Sequence, residues 1–189
     1  MSPQGGTLYD KYQQQDAKKT KKSSRKKGKS KPVPSIVFVC TKNQFRSPLA
    51  AAIFKKELAT RNMSDGWKVD SAGSWVHDLV PPTPDAFIEA EKRGLDLSSH
   101  IAHGIETLDL DTVDLLLVME QGQKESILLD FPYLRDRIYL LSELSGPAYS
   151  IPDPYIAKET CSDIALEIET LIKGNIDKIA ALSKRNNHK

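Results

Sequence analysis

Short apolar runs alternate along this chain with segments in which apolar side chains recur every three or four residues. Ser35-Ile-Val-Phe-Val-Cys40 is continuous and rich in β-branched residues, the pattern of a strand buried on both faces of a parallel sheet. Ser47-Pro48 then supplies a helix N-cap and a proline at the first helical position. Leu49, Ala52, Ile53 and Ala59 follow, with polar Lys55, Lys56 and Glu57 between them. Residues 67–73 read as a second strand, 84–93 as a helix stopping near Gly94, and 113–119 as another buried strand. Residues 121–130 read as a helix, 137–141 as a short fourth strand, and about 161–183 as a long helix. The stripe of that last helix carries Ile164, Ile168, Leu171, Ile172, Ile176 and Ile179. Strands alternating with helices at this spacing predict βαβ units. The expected fold class is α/β: a three-layer, doubly wound, four-stranded parallel sheet with helices on both faces. Residues 142–160 are the longest stretch inside the domain with no predicted element, and long loops in compact domains tend to carry function.

Charge divides the chain at the start of this pattern. Residues 1–31 hold ten Lys/Arg against Asp10 and Asp16, a net +8, whereas residues 32–189 hold 17 basic and 23 acidic residues, a net −6. The overall +2 hides an acidic body with a basic tail. Met1, Leu8, Tyr9 and Tyr12 are too few large apolar groups to offset the entropy of ordering residues 1–31, so the tail is expected to be disordered. Its basic run from Lys18 to Lys31 is the part expected to meet an anionic partner, a nucleic acid or a membrane surface. Residues 32–189 are expected to form one domain, since 189 residues leave little for a second. No run approaches the ~20 apolar residues needed to cross a bilayer, and no apolar core of a signal peptide is present. Two distant cysteines, Cys40 and Cys161, make a disulfide framework or a zinc cluster improbable, and a cytoplasmic location is expected.

The candidate chemistry starts where the first strand ends. Cys40 closes that strand, and five residues separate it from Arg46, which opens the following helix with Ser47. Ligands of open parallel sheets sit beyond the carboxyl ends of the strands, where a helix N-terminus offers unpaired N–H groups and a positive dipole end. An anion belongs in residues 41–45. The same N–H groups and the Arg46 guanidinium favour a thiolate at Cys40, and the planar fork of Arg46 matches two phosphate oxygens. In the long loop after the fourth strand, Pro152 and Pro154 hold Asp153 in an extended conformation beside Tyr155. Phosphoryl transfer to a thiolate needs an acid for the leaving oxygen, a role open to Asp153.

These residues resemble the low molecular weight protein-tyrosine phosphatases. The resemblance covers about residues 35–183: Val37-Phe-Val-Cys40 before Cys-x5-Arg-Ser-Pro, then Ser71-Ala-Gly73, Gly94-Leu-Asp-Leu-Ser98, His100, Asp114-Leu-Leu-Leu-Val-Met119 and Asp153-Pro-Tyr155. It implies hydrolysis of phosphotyrosine in a phosphorylated protein substrate, with Cys40 as the nucleophile that forms a phosphocysteine and Arg46 as the phosphate clamp. It further implies Ser47 as the hydroxyl donor that steadies the thiolate and Asp153 as general acid, later base for water. Thr41, Lys42, Asn43, Gln44 and Phe45 complete the phosphate loop. Asn43, Ser71 and His100 match a polar network that shapes it. Tyr155, with Trp75 or His77, would wall the slot for the substrate ring. The resemblance implies no metal and no cofactor.

Several positions depart from the family pattern. Lys42 replaces a usual glycine, and its Cβ is expected to strain the loop. Gln44 stands where tyrosine phosphatases usually carry isoleucine and the arginine phosphatases of this fold carry threonine. Phe45 replaces a second cysteine, which leaves Cys40 without an adjacent thiol partner. His103 replaces a common arginine. The rival readings are a protein-arginine phosphatase, against which Gln44 and Tyr155 count, and a phosphate-binding module weakened in turnover by Lys42 and Gln44. Arsenate reduction is disfavoured, because residues 41–160 contain no cysteine for a thiol relay.

Overall fold

The computed structural model describes residues 33–64 and 66–186. The tail proposed for residues 1–31 lies outside the described residues. Four strands, β1 (Ser35–Cys40), β2 (Lys68–Gly73), β3 (Leu115–Val118) and β4 (Ile138–Leu140), form one parallel sheet in the order β2-β1-β3-β4. Between and after them come α1 (Arg46–Thr60), α2 (Pro84–Lys92), α3 (Gln121–Asp130) and α4 (Cys161–Asn186), together with four 3-10 turns.

Alternation along the two central strands separates the core into two layers. Ile36 and Phe38 of β1 join Leu115 and Leu117 of β3 on the face covered by α1 and α4, packing with Leu49, Ile53, Phe54, Ile168 and Ile172. Val37 and Val39 join Leu116 and Val118 on the opposite face, against Ile127 of α3 and Leu110 and Leu134 of the 3-10 turns. β1 is buried at all six positions, which is why its sequence reads as an unbroken apolar run. Each Leu, Ile or Phe removed from water in these layers contributes about 1.5–3 kcal/mol, more than any single helix-propensity term. The polar sequence of α3 is therefore held largely by its place over the sheet.

Strand order fixes where a ligand can sit. From β1 the chain runs to β2 on one side, and β3 and β4 lie on the other. The connections leaving the C-terminal ends of β1 and β3 thus diverge, opening a crevice at the switch in strand order.

Two helix ends differ from the sequence expectation. α1 starts at Arg46, with Phe45 at the N-cap and no side-chain cap, so Ser47 lies inside the first turn and its hydroxyl serves another partner. α4 continues three residues past Ser183, because Asn186 Nδ2 donates to Asp114 O at 2.9 Å and ties the helix end to the segment before β3.

Gly73 closes β2 opposite Cys40. A Cβ there would lie 2.3 Å from Val76 Cγ2 and 2.7 Å from the Thr41 carbonyl oxygen. The loop after β1 therefore rests directly on a glycine backbone. Gly73→Ala is expected to cost about 1–3 kcal/mol, read as a lowered midpoint in thermal unfolding.

Candidate active site

The turn from β1 into α1 is shaped by Asn43. It alone among residues 41–45 has a positive φ, 55°, a left-handed conformation that asparagine tolerates better than most residues. Lys42 does not share it, so the strain expected from replacing glycine there is absent from its φ.

Asn43 is fully buried and spends its side chain holding the turn. Its Nδ2 donates to Ser47 Oγ and to Ser71 Oγ, both at 2.9 Å, and its Oδ1 accepts the His103 N–H at 3.0 Å. His100 Nε2 meets the Asn43 carbonyl at 2.9 Å. Burial lowers the His100 pKa, with the His103 charge acting in the same direction, so the neutral ring donates through Nε2–H.

Ser47 Oγ lies 3.0 Å from Cys40 Sγ and 3.2 Å from the Ala72 carbonyl. Because Ser47 already accepts from Asn43, its single proton is left for the sulfur or that carbonyl. The hydroxyl is aimed where a thiolate needs a donor.

Arg46 is 2% exposed and its guanidinium is surrounded by acceptors. Nη1 donates to Glu120 Oε1 and to Ile151 O at 2.9 Å; Nη2 donates to Asp153 Oδ2 at 3.0 Å and lies 3.5 Å from Thr41 Oγ1. Burying an unpaired guanidinium is prohibitive, and two carboxylates, one after β3 and one in the long loop after β4, meet the cost. Asp153 Oδ1 also accepts the Tyr155 N–H at 3.0 Å, which closes the turn that the two prolines restrict.

Cys40, Thr41, Lys42, Gln44, Phe45, Arg46, Asp153 and Tyr155 line one cleft of about 510 Å³, together with Trp75. Asn43, Ser71 and His100 stand behind the loop, away from the cleft lining. His77 is exposed, packs edge-on against the outer Trp75 ring at 4.8 Å, and does not line the cleft. Trp75 thus supplies the wall that the sequence left open between the two residues. Tyr155 forms the other wall, edge-on to Phe45 at 6.2 Å, with its hydroxyl 2.8 Å from Thr83 Oγ1 and 3.0 Å from Asp85 Oδ2. Burial and the Asp85 carboxylate push its phenol pKa up.

Glu120, Thr83 and Ile156 line the cleft without having been marked by the sequence. Glu120 follows β3 as Thr41 follows β1, and that shared position at a strand's carboxyl end is the signal that could have found it. Cys161 stands outside the cleft, its thiol pKa raised by burial and by Asp85.

The model of the low molecular weight phosphotyrosine protein phosphatases matches residues 35–187, nearly the whole described chain. The protein belongs to this family. A rat low molecular weight phosphotyrosine protein phosphatase is 37% identical over 90 residues, which are 47% of this chain and 56% of the rat protein, so that match spans about half of the relative. The crystal structure of a low molecular weight protein tyrosine phosphatase from T. tengcongensis is similar at a TM-score of 0.69 and 32% identity, covering 76% of this chain and 98% of that one. An arginine phosphatase from Geobacillus stearothermophilus is similar at 0.68 and 28%, covering 78% and 93%. The family's fold accounts for the α/β sheet.

The His100 geometry makes stability depend on pH. Its folded-state pKa lies below the ordinary value of about 6.5, so the unfolded chain takes up the proton first as pH falls. The contribution of the neutral ring is complete above about pH 6.5 and is lost as pH drops toward the folded value. Chemical denaturation between pH 7.5 and 5 is expected to show a smaller acid-side loss in His100→Gln than in wild type.

Proposed function

We propose that the protein is a cysteine-dependent phosphatase that hydrolyses phosphotyrosine in proteins through a phosphocysteine intermediate. The observation that carries this reading is the meeting in one cleft of Cys40, backed by the Ser47 hydroxyl at 3.0 Å, with Arg46 and Asp153.

In the first step the Cys40 thiolate attacks phosphorus, an S–P bond forms, and the P–O bond to the substrate breaks. Asp153, carrying the proton, gives it to the departing phenolate oxygen. In the second step Asp153 takes a proton from water, the water oxygen attacks phosphorus, and the S–P bond breaks to release inorganic phosphate. Ser47 donates to the sulfur as it leaves, and Arg46 stabilises charge on the equatorial oxygens. Glu120 holds the guanidinium from the far side, which leaves Nη2 with the Asp153 and Thr41 edge of the cleft. Trp75, Phe45 and Tyr155 favour a flat phenyl group between apolar walls.

The similarity to an arginine phosphatase supports a second reading, phosphoarginine as substrate. The basic run from Lys18 to Lys31 supports contact with an anionic nucleic acid or membrane surface by charge alone. No helix among the described residues is long and apolar enough to cross a membrane.

Cys40→Ser is expected to lose p-nitrophenyl phosphate turnover by on the order of a thousandfold or more, with Asp153→Ala losing about 10²–10³ in kcat. The Asp153 loss should be larger for phosphotyrosine than for p-nitrophenyl phosphate, whose phenolate leaves without much help. A wild type no faster than Cys40→Ser would overturn the enzymatic reading. Higher kcat/KM on a phosphoarginine peptide than on a phosphotyrosine peptide would favour the second substrate.

Lys42 decides the charge balance at the mouth. Arg46 is already opposed by Glu120 and Asp153, and Lys42 lines the cleft with no ion pair among the described residues. It is therefore the cation free to attract an incoming dianion. Lys42→Glu is expected to raise KM several-fold at low ionic strength, with the difference from wild type shrinking as salt is added.

A further inference from the structure

Gln123 lies in the first turn of α3, is 6% exposed, and uses every hydrogen-bonding position of its amide. Its Oε1 accepts the N–H groups of Met119 at 3.0 Å and Glu120 at 3.1 Å. Its Nε2 donates to Glu120 Oε1 at 3.0 Å and to Thr41 Oγ1 at 3.1 Å. The orientation is fixed by chemistry: a carboxylate only accepts, so the NH2 end must face Glu120, and the oxygen must face the two backbone donors.

Both Nε2 partners touch the buried arginine. Glu120 accepts from Arg46 Nη1, and Thr41 Oγ1 lies at the edge of reach of Arg46 Nη2. A single amide thus braces the guanidinium on two sides while anchored to the backbone at the end of β3. It also constrains a proton. Thr41 Oγ1 receives N–H groups from Gln123 and Arg46, and its own O–H makes no hydrogen bond as a donor among the described residues. Thr41 lines the cleft beside Cys40, so that proton is available to an oxyanion there.

We propose that Gln123 is a positioning residue for phosphate: it fixes the plane of Arg46 through Glu120 and turns the Thr41 hydroxyl into a donor for a phosphoryl oxygen. The proposal rests on the phosphatase reading for its kinetic consequences, whereas its consequence for phosphate binding holds with or without turnover. Gln123 touches neither substrate nor nucleophile in this role. Its effect passes through Thr41 and Glu120.

Gln123→Glu separates this role from simple support of α3. The carboxylate still accepts the Met119 and Glu120 N–H groups but, when ionised, cannot donate to Thr41 or Glu120 and repels the latter. Inorganic phosphate affinity, measured by titration calorimetry, is expected to weaken about tenfold at pH 7, the size of a lost hydrogen bond to a charged group. The kcat/KM for p-nitrophenyl phosphate should fall by at least as much. As pH is lowered the ratio of wild type to Gln123→Glu should shrink, because a protonated Glu regains an O–H donor. Combining Gln123→Glu with Thr41→Val should cost less than the two separate losses multiplied together. Phosphate affinity within about twofold of wild type in the single variant, or fully multiplicative losses in the double variant, would overturn the proposal. If wild type binds phosphate but hydrolyses nothing, the phosphatase reading falls and the affinity measurements still decide the role of Gln123.

Discussion

A guanidinium almost wholly out of water must be fully partnered, and the partners of Arg46 come from three places that are distant in the chain. Thr41 follows β1, Glu120 follows β3, and Ile151 and Asp153 lie in the segment after β4. The charge cannot be satisfied unless all three segments meet. Parallel pairing of β1 with β3 sets Thr41 beside Glu120, and the Ile151 N–H, donating to Met119 O at 2.8 Å, draws in the segment that carries Asp153. Removing one carboxylate would leave a buried positive charge under-compensated. The cleft is thus a consequence of a solvation requirement as much as of the sheet.

Asn43 performs the complementary task on the neutral side of the loop. One left-handed residue reverses the chain between Cys40 and α1, and its amide ties the turn to Ser47, Ser71 and the His103 backbone. Those bonds also leave the Ser47 proton for Cys40 Sγ or the Ala72 carbonyl. Loop shape and thiol environment are therefore one network: what keeps the backbone turned also holds a hydroxyl within reach of the sulfur. The close seat of the loop on Gly73 completes it, since a side chain there would collide with the Thr41 carbonyl.

Much of this was legible in the residues. The apolar run of β1, the 121–130 helix and the Cys-x5-Arg-Ser spacing are local signals, and the structure places Cys40, Arg46, Asp153 and Tyr155 on one cleft. Ser47 reads locally as a cap because its type and the following proline fit that role; only the family resemblance pointed to its contact with Cys40, and the helix starts one residue before it. His77 and Trp75 were indistinguishable as slot walls, because two residues two apart in an irregular segment have no periodicity to separate inside from outside. Glu120 and Gln123 carry no mark of their contacts in the sequence. Acidic and amide residues at the start of a helix ordinarily read as capping groups, and here the same side chains also reach Arg46 and Thr41.

The sequence by itself determined the alternation of strands and helices, the division into a basic segment and an acidic body, and the chemical kinds of group at the strand ends. These follow from short-range rules: side-chain period, proline and glycine geometry, and the match of a thiol and a guanidinium to phosphate. The tertiary structure alone decided which carboxylates hold Arg46, which aromatic ring faces the cleft, and how Gln123 joins Thr41 to Glu120 across 82 residues of chain. Those choices depend on buried hydrogen bonds between distant segments, whose geometry is set only when the sheet has assembled and water has been excluded.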